Sequence, residues 1–117
     1  MQATRIVVRA SMVVVTCVFA AGVVATAVRA DDSKAVYEKQ CASCHGAGGK
    51  GDGPAGKFLK PPPTDFATAL KGKTDADVAK VIKEGGKAVG KSALMPAFGS
   101  RLSDDQINGL VAYIKGL

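Results

Sequence analysis

The sequence has no tryptophan, one histidine, three cysteines and only six Phe and Tyr residues in 117 positions. With a single His and no evident pair of carboxylates, it offers little for acid–base or hydrolytic catalysis. It has no run of Lys or Arg, so its net charge of +6 is not the footprint of a nucleic-acid binder. It has no internal repeat and no sustained apolar–polar alternation, which argues against a sheet. The length leaves room for one domain, not two. Acids are absent from the first thirty residues, which separates that stretch from the rest.

Residues 1–30 carry Arg5, Arg9 and Arg29, no acid, and 21 residues of the apolar set. Basic start, apolar middle and small residues before Asp31-Asp32 read as a secretory leader cut after Ala30, with a second site after Ala27. The alternative is an uncleaved membrane anchor, because the 19 uncharged residues from Ala10 to Val28 come close to spanning length. Either way residues 31 onward face the oxidising side of a membrane, and losing Cys17 with the leader turns three cysteines into a pair.

Residues 31–117 form the expected domain. They hold 34 apolar residues, many of them Ala, and 13 Gly, with a net charge of +3. So small and lean a domain is marginal unless a disulfide, a metal or another apolar filler completes its core. Three helices are predicted. The first starts near Ser33 and runs through Tyr37 into Cys41. The second spans Thr74 to Glu84, with Thr74 and Asp77 as an N-cap pair and Gly85-Gly86 as the stop. The third follows the capping box of Ser103 and Gln106, with Ile107, Leu110, Val111 and Ile114 on one face. A short fourth helix fits from Thr64 or Asp65 to Leu70. Between them lie six Gly and a Pro from Gly46 to Gly56, and the extended Pro61-Pro62-Pro63. Long ordered loops in a small domain suggest wrapping round a large rigid ligand.

Cys41-Ala42-Ser43-Cys44-His45 is a C-x-x-C-H motif, the signature of c-type haem attachment. Positions three and four apart share a helix face. Cys41 and Cys44 can therefore reach two vinyl groups of one porphyrin while His45 turns its imidazole to the iron. Zinc is the weaker reading, because two Cys and one His fall short of four ligands. A thioredoxin-like pair lacks its βαβ setting, and a disulfide across two residues would close almost no loop. For a second iron ligand, Met95 is the one Met outside the leader, and Pro96 biases it toward extended backbone. A Lys ligand, with Lys87 and Lys91 nearest in sequence, and an open sixth site are the alternatives.

On these residues the chain resembles the class I c-type cytochromes, of the small single-haem bacterial kind. The resemblance also rests on Tyr37 four before Cys41, Gly51-Asp52-Gly53-Pro54, Pro61 to Phe66, Met95-Pro96-Ala97-Phe98 and Leu110 to Lys115. It implies an all-α fold of three to four short helices, with long loops round one covalent haem c and the first and last helices crossing. Tyr37 and Tyr113 would meet near that crossing. The resemblance also implies that the Pro54 carbonyl accepts the His45 ring N–H, a bond that would orient the imidazole. Two departures stand out. Ser33 occupies a position where the family often has Gly, so that either the crossing is wider or Ser33 is the helix cap. No Trp is present to bond a haem propionate.

The expected function is that of a periplasmic electron carrier rather than an enzyme. Its haem would cycle between Fe(III) and Fe(II) with His45 and Met95 retained. Expected partners are a redox donor and acceptor that dock transiently at the haem edge, steered by Lys57, Lys60, Lys87 and Lys91. No nucleic acid is expected, and membrane association only if the leader stays attached. Two alternatives are a haem subunit of a larger membrane or periplasmic oxidoreductase and, with an open sixth site, a haem-based sensor.

Overall fold

The computed structural model describes residues 29–117. The leader expected over residues 1–30, Cys17 included, lies outside the described residues except for Arg29 and Ala30. Among the described residues the regular structure is entirely helical: α1 (Ala30–Gln40), α2 (Ala42–His45), a 3-10 turn (Gly56–Phe58), α3 (Phe66–Ala69), α4 (Asp75–Ala88) and α5 (Asp104–Lys115). The expected all-α fold is observed, and the extra helix, α2, is a single turn made by the C-x-x-C-H motif itself.

α1 begins before the expected start. Arg29 is its N-cap, with its N–H donating to Asp32 Oδ2 at 3.2 Å, and Asp31 and Asp32 fill a first turn where the helix dipole favours acids. Ser33 is therefore not the cap. It lies buried inside α1, its Oγ 3.5 Å from the Arg29 carbonyl that accepts from it.

α4 and α5 start as their sequences predict. The Thr74 hydroxyl accepts from Asp77 N–H while Asp77 Oδ2 accepts from Thr74 N–H, and Ser103 and Gln106 repeat the exchange. All four apolar positions of the α5 face are buried. They pack with Tyr37, Val78, Ile82 and Phe98 into one core, each side chain contributing about 1.5–3 kcal/mol relative to exposure. α5 is the common partner, packing against both α1 and α4. Exposed ion pairs of Lys83 with Asp104 and of Lys115 with Asp75 also join α4 to α5, each contributing under about 1 kcal/mol. Tyr37 of α1 and Tyr113 of α5 meet with ring centroids 5.2 Å apart.

Gly85-Gly86 breaks the helix where the stop was expected, after Glu84. Gly85 leaves helical geometry (φ 79°, ψ 166°), and the chain resumes for one more turn to Ala88. The expected Thr64/Asp65–Leu70 helix is one turn, capped by Asp65, whose Oδ1 accepts from Ala67 N–H at 2.8 Å.

Candidate functional site

The motif sits where α1 breaks. Cys41 closes α1 through its N–H to the Tyr37 carbonyl (2.8 Å) and opens α2 with its own carbonyl, which accepts from His45 N–H at 2.9 Å and Cys44 N–H at 3.2 Å. This single turn brings Cys41, Cys44 and His45 together, all half-buried. The two cysteines are free thiols. Burial, and secondarily the nearby Cys44, pushes the Cys41 thiol up to about 11. A thiol that holds its proton at neutral pH is a poor redox nucleophile, which weighs against disulfide exchange.

Burial also lowers the His45 pKa, so the imidazole is neutral at pH 7 and free to bind a metal. The Phe66 ring stacks on it, centroids 4.8 Å apart and planes at 26°. Behind the motif the buried Tyr37 hydroxyl donates to the Gly46 carbonyl at 2.7 Å. The residue after His45 is thus tied to α1. Neither contact was legible in the sequence beyond the presence of the aromatics, because both join loops to helices without periodicity.

The bond expected from Pro54 is not made: His45 Nδ1 is buried and has no hydrogen-bond partner. The reason lies in how the following turn is pinned. Ala55 N–H donates to the Ser43 carbonyl at 2.8 Å, and Gly53 and Gly56 press against α2 so closely that a Cβ at either would strike carbonyls of Ala42, Ser43 or Cys44. This fixing leaves Pro54 exposed, on the rim of a recess shared with Glu38, Ala42 and Asp52.

Met95 arrives from the loop before α5, half-buried. Together with Cys41 and Phe66 it borders the apolar core. Lys57, Lys60, Lys87 and Lys91 are all exposed. Two exposed apolar side chains lie near them in the sequence, Phe58 at 85% exposure between Lys57 and Lys60 and Leu94 at 52% three residues after Lys91. No group of three or more His, Cys, Asp and Glu side chains capable of holding a metal ion occurs among the described residues. A macrocycle tethered at two thiols suits this donor set better than a bare ion does. A neutral half-buried imidazole, paired thiols on one turn and a thioether at the edge of the same core all fit haem c.

Comparison with known proteins decides the family. The family described as "Cytochrome C oxidase, cbb3-type, subunit III" matches residues 28–114. Cytochrome c6 of Picosynechococcus sp. is 34% identical over 104 residues, covering 89% of this chain and 86% of its own length. The chain belongs to the class I c-type cytochromes. Haem c is the cofactor of this cytochrome family. Cytochrome c6 of Leptolyngbya boryana is 41% identical over 81 residues, 68% of this chain and 81% of that protein. Subunit CcoP of the cbb3-type cytochrome c oxidase of Azospirillum brasilense is 32% identical over 91 residues, 78% of this chain. The cytochrome spans only 29% of that subunit's length. No helix among the described residues is long and apolar enough to cross a membrane.

Proposed function

We propose that this cytochrome is an exported one-electron carrier of the periplasm. Cys41 and Cys44 would hold haem c as thioethers, and His45 and Met95 would bind its iron. When bound, the haem supplies a one-electron Fe(III)/Fe(II) couple whose potential a His/Met ligand pair raises. The protein's part is to hold its ligands still. α2 presents His45 neutral, Phe66 covers one face of its ring, and the Met95 loop borders the same core, so both donors start from prearranged positions. The observation that carries the reading is the single turn joining two cysteines outside any disulfide to a half-buried imidazole whose buried Nδ1 is unbonded.

The exposed Lys57 and Lys60, with Phe58 between them in the sequence, suit a transient partner with an acidic rim and an apolar centre. Likeness to cytochrome c6 supports the free carrier. Likeness to CcoP supports a second reading, in which the domain is the haem subunit of a larger oxidoreductase.

Covalent attachment is tested on the protein made in a host that matures c-type cytochromes. Haem should survive denaturing electrophoresis with the wild type and be lost from Cys41→Ala/Cys44→Ala. Extractable haem in the wild type would overturn the reading. Fractionating the native cell envelope separates carrier from subunit, by release in free form or by retention in a complex.

A further inference from the structure

We propose that the Gly85–Gly86 kink in α4 is the positioning element for Met95. The inference rests on the reading that Met95 binds the iron. In an uninterrupted helix the Gly86 N–H would donate to the Ile82 carbonyl, four residues back. With Gly85 at φ 79°, ψ 166°, it donates instead to the Met95 carbonyl at 3.0 Å. Two α4 carbonyls are taken over by the same segment: Ile82 O accepts from Phe98 N–H at 2.9 Å, and Lys83 O from Gly99 N–H at 3.0 Å. Three backbone hydrogen bonds thus dock residues 95–99 on the kink. Lys91 N–H adds a fourth contact from the loop, donating to Gly86 O at 2.7 Å.

The docking is close enough to require glycine. At Gly85 a Cβ would lie 2.9 Å from Ala97 N, 3.0 Å from Met95 O and 3.1 Å from Pro96 C, all backbone atoms with no side chain to swing away. At Gly86 it would strike the Ser92 carbonyl and lie 3.1 Å from Met95 Cβ. Gly85 also holds a backbone conformation essentially confined to glycine. α4 is in turn anchored in the core by Val78 and Ile82. The position of Met95 is therefore set by a helix anchored in the core, not by its own loop.

A side chain at Gly86 has to push the Met95 segment off α4. In ferric Gly86→Ala holoprotein, exogenous imidazole should displace Met95 more readily, with affinity raised roughly tenfold or more. The far-red thioether–iron band should weaken and the reduction potential fall. Gly72→Ala is the control, since Gly72 has φ 70° but nothing within 4 Å of its Cβ position. It should leave imidazole affinity unchanged whatever it does to stability. If Gly86→Ala binds imidazole no more tightly than wild type and Gly72→Ala, the proposal is wrong. Met95→Ala run alongside separates the two claims: should it keep the far-red band, the ligand reading fails, whereas losing it while Gly86→Ala keeps wild-type affinity sinks the kink alone.

A test on the unmutated holoprotein covers the case of a variant that does not fold. Amide exchange at Gly86 and Lys91 should be about tenfold or more slower than at exposed loop amides, with imidazole absent. Exchange at both as fast as in an exposed loop overturns the proposal.

Discussion

The Phe66 ring lies stacked on the His45 imidazole, 4.8 Å between centroids. Phe66 is held in that position by its own backbone, whose N–H donates to the Gly49 carbonyl at 2.9 Å, and by Tyr37, whose ring meets it edge-on at 6.5 Å. The loop after the C-x-x-C-H turn and the segment following the triple proline are thereby fastened across His45. The stack covers one face of the imidazole and restricts the plane of its ring.

Phe66→Ala should remove the stack and open a cavity beside His45. Because Phe66 is half-buried, the expected loss is about 1–3 kcal/mol, below that of a fully buried Phe. Denaturant unfolding measures it. Phe66→Leu should recover most of the stability without restoring the fixed ring plane, which the low-temperature electron paramagnetic resonance of the ferric protein reports.

Tyr37→Phe removes one of two donors to the Gly46 carbonyl, which keeps its bond from Gly49 N–H at 3.1 Å, at a cost of about 0.5–1.5 kcal/mol. A pH signature accompanies it. Burial first, and neighbouring negative groups after it, push the Tyr37 hydroxyl from 10.0 up to about 12. Between these values the unfolded chain binds fewer protons than the native one, so stability must fall as pH rises. The Tyr37 contribution is complete below pH 10 and gone above about 12. Unfolding free energy measured across that window should slope less steeply in Tyr37→Phe than in wild type.

Ser103→Ala should cost about 0.5–2 kcal/mol by removing the acceptor for Gln106 N–H, and Thr74→Ala a similar amount at α4. Thermal unfolding checks both.

These caps show what was legible in the sequence. Ser103, Gln106 and the Ile107, Leu110, Val111, Ile114 stripe depend on neighbours within four residues, so the α5 reading needed no tertiary knowledge. The same holds for Thr74 and Asp77, and for the C-x-x-C-H turn. What the sequence did not disclose depends on contacts distant along the chain. Gly85-Gly86 reads as a helix stop and Gly85 does break the helix, but the docking of the 95–99 segment on that break joins residues about ten apart and has no local signal. Ser33 has the composition of a cap, but Arg29 and Asp32 start the helix earlier and bury it. The Phe66–His45 stack and the unbonded Nδ1 that replaces the expected Pro54 contact arise from how loops fold back on α2.

Lys57→Glu/Lys60→Glu should slow oxidation of the ferrous holoprotein by the anionic reagent ferricyanide at low ionic strength. The two side chains are exposed, so the difference should shrink as salt approaches about 1 M, where the Debye length is about 3 Å. Stopped-flow rates at several salt concentrations test this, and a cationic oxidant should show the opposite sign.

The most direct test of His45/Met95 ligation is the visible spectrum of the native protein, ferric and ferrous, beside Met95→Ala. The account predicts a sharp c-type α-band on reduction and a weak far-red band in the ferric wild type that Met95→Ala abolishes. A high-spin wild type that binds carbon monoxide readily, or a far-red band that survives in Met95→Ala, would contradict it.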